Sequence, residues 1–198
     1  ENASFIAKSE VAGWGFVGTM CNLHKTIFVN RARRSESLKQ RDALVERVQE
    51  GHSLILFPEG TSTDGMRVAP FKSALFSVAE QADEACDHEL LIQPVTLAYT
   101  EVNGMPLVRS QKPWVAWLGD VELFQHLRQA LGRARIEALV EFHAPVTVAE
   151  AGSRKALAAY CEQEVRQGLE RAHRAEMRLG PREFNGVLPP SGAPDESL

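Results

Sequence analysis

Leu54-Ile55-Leu56-Phe57-Pro58-Glu59-Gly60-Thr61-Ser62-Thr63 is the stretch that decides how the 198-residue chain reads. Its four apolar residues lack polar alternation, so they predict a strand over 53–57 covered on both faces, as in a parallel sheet. Pro58 has no backbone N–H to donate and ends the ladder, while Gly60 permits a sharp turn. One carboxylate and three hydroxyls are thereby left at the carboxyl end of a buried strand, where open α/β sheets place their ligands. Strands ending in a Pro-Gly turn are common, however, and a glutamate there is ordinarily just solvated. The neighbours have to decide.

Working upstream, residues 26–30 (Thr-Ile-Phe-Val-Asn) are β-branched and aromatic enough for a short strand, which delivers Arg31, Arg33 and Arg34 at its carboxyl end. Leu38, Leu44, Val45 and Val48 mark one face of a helix over 37–50 that Gly51 closes. Strand, helix and strand predict a right-handed crossover between parallel strands, with Arg31 and Glu59 at one edge of the sheet. Downstream, Pro70 followed by Phe71, Leu75, Val78, Ala79 and Ala82 predicts a second helix. A strand over 90–98 contains Pro94, which must mark its start, a bulge or a bend. Short elements are expected over 114–118 (strand), 121–131 (helix) and 136–142 (strand), before a long, charged helix over 154–177. Prolines and glycines predict a disordered tail over 179–198, leaving one domain over 1–178.

With 44% apolar and 24% charged residues the chain can build one substantial core. A net charge of −4 gives no support for a nucleic-acid partner. Cys21, Cys86 and Cys161 are odd in number and widely spaced, which argues against a disulfide frame or a zinc site. No run approaches the roughly 20 apolar residues of a spanning helix.

Phe28-Val29-Asn30-Arg31, Phe57-Pro58-Glu59-Gly60-Thr61 and Gln93-Pro94-Val95-Thr96-Leu97 resemble, in order and spacing, three sequence blocks of the glycerolipid acyltransferases, the lysophosphatidate acyltransferase-like family. Phe5-Ile6-Ala7-Lys8-Ser9-Glu10 and Trp117-Leu118-Gly119-Asp120 with His126-Leu127 look like a bacterial branch near the lyso-ornithine lipid acyltransferases. The resemblance spans about residues 4–148. It implies a glycerol-3-phosphate acyltransferase-like α/β fold, a single domain with a central mixed or mostly parallel sheet flanked by helices. It further implies transfer of a fatty acyl group from acyl-CoA or acyl carrier protein, as cosubstrate, to a lysophospholipid hydroxyl. Lysophosphatidate is the first acceptor and lyso-ornithine or another lysolipid the alternative; a catalytically inactive lipid-binding module is the second. A place at the membrane surface, on the cytoplasmic face of a bacterial inner membrane, follows from the same resemblance, with no metal or redox cofactor.

The family's reaction uses a His and an Asp in the pattern HxxxxD, the imidazole taking the acceptor's proton. Five positions beyond His24, His52, His88, His126, His143 and His173 stand Val29, Phe57, Gln93, Leu131, Val148 and Arg178, none of them Asp. The expectation is that the pair precedes Glu1 and that this chain alone is inactive; a degenerate, non-catalytic relative is the alternative. By resemblance Arg31, Glu59, Gly60 and Thr61 bind the acceptor, Arg31 through fixed bidentate donors suited to an anionic head group. Lys72 adds a charge nearby or is plainly solvated, and Pro58 and Pro94 shape the strands beside the site. Many relatives carry Arg directly after the Thr of the turn; Ser62 stands here, which leaves room for an acceptor less dependent on phosphate. Arg33 and Arg34 are weaker candidates, and Trp14, Phe16 and Val17 suit an acyl channel, the membrane surface or ordinary packing.

Overall fold

The computed structural model describes residues 3–13, 15–24, 26–29, 34–86, 89–107, 115–116 and 135–178. Its first strand, β1 (Ala3–Lys8), which the sequence reading did not foresee, turns a serine inward and a phenylalanine outward: Ser4 is 2% exposed and Phe5 40%. β1 pairs in parallel with β2 (Ile27–Val29) on one side and β3 (Ser53–Ile55) on the other, giving the order β2-β1-β3. Between them run α1 (Gly15–Leu23) and α2 (Arg34–Gln49). The parallel strand–helix–strand expectation therefore holds, with β1 inserted between the two strands. All three run the same way, so the carboxyl ends of β2 and β3 share one edge.

β3 ends two residues before the expected limit, and Phe57 is 58% exposed, its ring stacked on Phe5 with centroids 6.5 Å apart. Coverage on both faces, expected for 54–57, is not met at Phe57. Among the described residues β3 is an edge strand, and an edge strand is shielded less than a central one.

The helix expected from Pro70 starts late. Ala69, Phe71 and Lys72 spend their N–H groups on tertiary acceptors, Pro70 has none to give, Lys72 is extended (ψ 99°), and a 3-10 turn (Ser73–Phe76) leads into α3 (Ser77–Ala85). Proline at 94 separates β4 (Leu91–Ile92) from the long β5 (Val95–Val102), so it acts as a break. β5 pairs antiparallel with β6 (Met105–Pro106) and β7 (Ile136–Phe142); β4 pairs antiparallel with β8 (Val146–Thr147). Of the strand expected over 114–118 only Val115 and Ala116 are described, and neither is in a strand. The helix expected over 121–131 and the tail over 179–198 lie outside the described residues.

A capping box in which Thr147 and Glu150 bond reciprocally starts the short α4 (Val148–Ala151). α5 (Arg154–Arg178) then crosses the inner face of β5. Its buried Leu157, Ala158, Cys161, Leu169 and Ala172 recur at helical spacing. They form two clusters, one with Val68 and Ala98 and one with Phe76, and Phe71 packs against both.

Candidate functional site

The Glu59 turn hangs from the end of β3. Gly60 N–H donates to the Phe57 carbonyl at 3.2 Å, and Gly60 has φ +66°, a conformation that side chains rarely adopt. The turn is then stapled to the segment that follows it: Ala69 N–H donates to Glu59 Oε2 at 2.7 Å, and Lys72 N–H to the Pro58 carbonyl at 2.9 Å. Glu59 is half-buried, and burial pushes its carboxyl above the ordinary value of 4.5, against the pull of the Ala69 bond; the charge of Glu162 adds to the rise.

Thr61 and Ser62 stand exposed at the rim. Thr63 Oγ1 accepts from Gly65 N–H at 3.3 Å and Asp64 Oδ1 from Met66 N–H at 2.9 Å, so these two side chains build the loop. A small cavity of about 50 Å³ separates Asp64 and Gly65 from Leu97 and Tyr99 on the outer face of β5. The Lys72 side chain is exposed, and its backbone is what ties it to the turn. Pro94 is buried, and its carbonyl accepts from His143 N–H at 3.0 Å. Glu59, Gly60, Thr61, Pro58 and Lys72 thus form one unit. Arg31 and Arg33 lie outside the described residues, as does Trp14; Arg34 opens α2.

Two features escape sequence reasoning. The first is Glu162 on α5, whose Oε2 accepts from Phe71 N–H at 2.9 Å across 91 residues of chain. A glutamate on a charged helix carries no signal of such a bond. The second is a hydroxyl, imidazole and carboxylate in line: Thr96 Oγ1 lies 2.8 Å from His143 Nε2, and His143 Nδ1 lies 3.7 Å from Glu164 Oε2. Thr96 also donates to the Val165 carbonyl at 3.2 Å. Thr96 is 0% exposed and the His143 side chain 4%, so no substrate reaches this group. It satisfies buried polar atoms where α5 docks on β5.

The Glu59 turn can therefore accept hydrogen bonds from a hydroxylated or polar ligand, but it carries no paired acid and base. Among the described residues no group of His, Cys, Asp or Glu could hold a metal ion.

Strand-end geometry of this kind belongs to an α/β domain, and comparison with known proteins narrows the class. The pattern of the Acyltransferase family matches residues 1–98. A lyso-ornithine lipid O-acyltransferase of Brucella abortus is 46% identical over 85% of this chain and 64% of its own length. One from Rhodobacter capsulatus is 41% identical over 83% and 57%. The crystal structure of the 1-acyl-sn-glycerophosphate (LPA) acyltransferase PlsC from Thermotoga maritima superposes with a TM-score of 0.57 at 20% identity, over 87% of this chain and 57% of that one; it is a likeness of fold. The chain belongs to the acyltransferase family. It spans about three fifths of the length of the curated relatives that it matches.

Proposed function

We propose that the chain is the acceptor-binding part of an O-acyltransferase that moves a fatty acyl group from a thioester to the hydroxyl of a lysolipid. The observation that carries the reading is the Glu59 turn, a half-buried carboxylate held by the Ala69 N–H at the carboxyl edge of a parallel sheet, with Thr61 and Ser62 open beside it. Glu59 accepts a hydrogen bond from the acceptor, Gly60 lets the ligand approach the backbone, Thr61 donates to its head group, and Arg31 and Lys72 supply positive charge. In the reaction the acceptor oxygen bonds to the thioester carbonyl carbon, the carbon–sulfur bond breaks and the thiol leaves with the proton. That proton transfer belongs to a His/Asp pair outside these 198 residues, so the isolated chain is inactive. Acyl-CoA or acyl carrier protein serves as cosubstrate, with no resident cofactor. The enzyme works at the cytoplasmic face of a bacterial inner membrane; among the described residues no helix is long and apolar enough to cross one.

Lysophosphatidate is the acceptor that the family resemblance first implies. Lyso-ornithine lipid is the second reading, favoured by the names of the relatives at 46% and 41% identity and by Ser62 where many relatives carry Arg. A panel of lysophosphatidate, lyso-ornithine lipid and lysophosphatidylethanolamine, offered with each donor to the full-length protein, tests both readings through the ester formed. Acylation of none of them would remove the enzyme reading. In the same protein Glu59→Gln and Arg31→Ala should raise KM for the acceptor more than they lower kcat.

A further inference from the structure

Three of the four residues 69–72 donate to two separate parts of the molecule. Ala69 N–H donates to Glu59, Phe71 N–H to Glu162 Oε2 and Lys72 N–H to the Pro58 carbonyl. The first and last of these acceptors are the turn itself. The middle one comes from α5, beyond residue 98 where the family pattern ends.

We propose that Glu162 is a positioning residue for the Glu59 turn: by gripping Phe71 N–H it fixes the 69–72 backbone, whose neighbouring N–H groups aim the Glu59 carboxylate and hold Pro58. The plain alternative is a solvated helix pair, since Arg166 one turn further on bonds the other oxygen of Glu162. Such an exposed pair contributes little by itself. The Phe71 bond differs in kind, because it joins a carboxylate to a backbone donor of the site segment, and charged hydrogen bonds are among the stronger ones. The Phe71 ring packs against both core clusters, and the bond to its N–H adds a tie from the segment's backbone to α5. Arg166 orients Glu162 toward that N–H. The Phe71 bond also holds the Glu162 carboxyl below its ordinary range, so the group is charged at neutral pH, and its charge is felt at Glu59.

Only the kinetic arm of the test rests on the proposed function. In the full-length protein, Glu59 is titrated by carbon-13 NMR of its carboxyl group, and acceptor KM and kcat are measured for Glu162→Gln and Glu162→Ala. The glutamine carbonyl can still accept from Phe71 but carries no charge. It should lower the Glu59 titration midpoint while leaving acceptor KM within about twofold. The alanine should raise acceptor KM about three- to tenfold with a smaller change in kcat. Amide exchange at Ala69 and Lys72 no faster in Glu162→Ala than in the wild type overturns the proposal, and should the alanine variant fail to fold, Glu162→Asp, whose carboxylate is one methylene short of Phe71 N–H, gives the same reading. A moved midpoint supports the coupling; joined to an acceptor KM indifferent to both Glu162→Ala and Glu59→Gln, it would remove Glu59 from acceptor binding and sink the acceptor-site reading instead.

Discussion

Burial and a backbone donor pull the Glu59 carboxyl in opposite directions, and burial wins. Its folded pKa lies above the ordinary 4.5, so its contribution to stability is complete below 4.5 and is lost as pH rises through the folded value. Glu162 has the opposite sign. The Phe71 N–H holds it below 4.5, so its contribution is present above 4.5 and is lost as pH falls through that lowered value. Urea titrations should therefore show Glu59→Gln gaining on the wild type as pH rises from 4.5 toward neutral, and Glu162→Gln closing its deficit as pH falls below 4.5. A pH-independent difference for both variants would contradict these environments. At this scale Glu59 was legible, because a Pro-Glu-Gly-Thr turn after an apolar run declares itself locally. Glu162 was not, since its partner is 91 residues away and helical charges look alike in sequence.

The docking of α5 on β5 turns on a missing side chain. A Cβ at Gly168 would press on Thr96 Oγ1 and lie 2.9 Å from His143 Cε1 and 3.0 Å from Glu141 Oε2, which Arg171 engages through Oε1 at 2.6 Å. On a free helix face Gly→Ala stabilises by about 1 kcal/mol. Here overpacking costs about 1–3 kcal/mol and reverses the sign, so Gly168→Ala should lower the urea midpoint; a raised midpoint would show that α5 does not sit this close. Periodicity made α5 readable, because its buried residues recur at helical spacing. β1 was hidden by its own pattern, a serine turned inward and a phenylalanine outward. The start of α3 was hidden for another reason: the N–H groups of Ala69, Phe71 and Lys72 had tertiary acceptors that outcompeted a local helix, and no window of sequence contains Glu162 together with Phe71.

Across the whole molecule the described strands fall into three ladders, β2-β1-β3, β4-β8 and β6-β5-β7. The last has two unlike faces. Thr96 and Ala98 meet α5, whereas Val95 lies opposite Phe142 and Leu97 opposite Val140, all four exposed. Paired apolar residues on an open face favour association, so Val140→Thr with Phe142→Thr should lower the light scattering of concentrated solutions of this chain. Unchanged scattering would mean that the face is not sticky. The single α/β architecture was foreseeable from the alternation of apolar runs; its division into ladders was not, since pairing depends on which edges meet. The stapled segment after the turn carries a last consequence. Ala69, Phe71 and Lys72 share their amide hydrogens with the Glu59 carboxylate, the Glu162 carboxylate of α5 and the Pro58 carbonyl respectively, so isotope exchange at these near-neighbour amides supplies three separate gauges, one for each attachment, within a span of four residues.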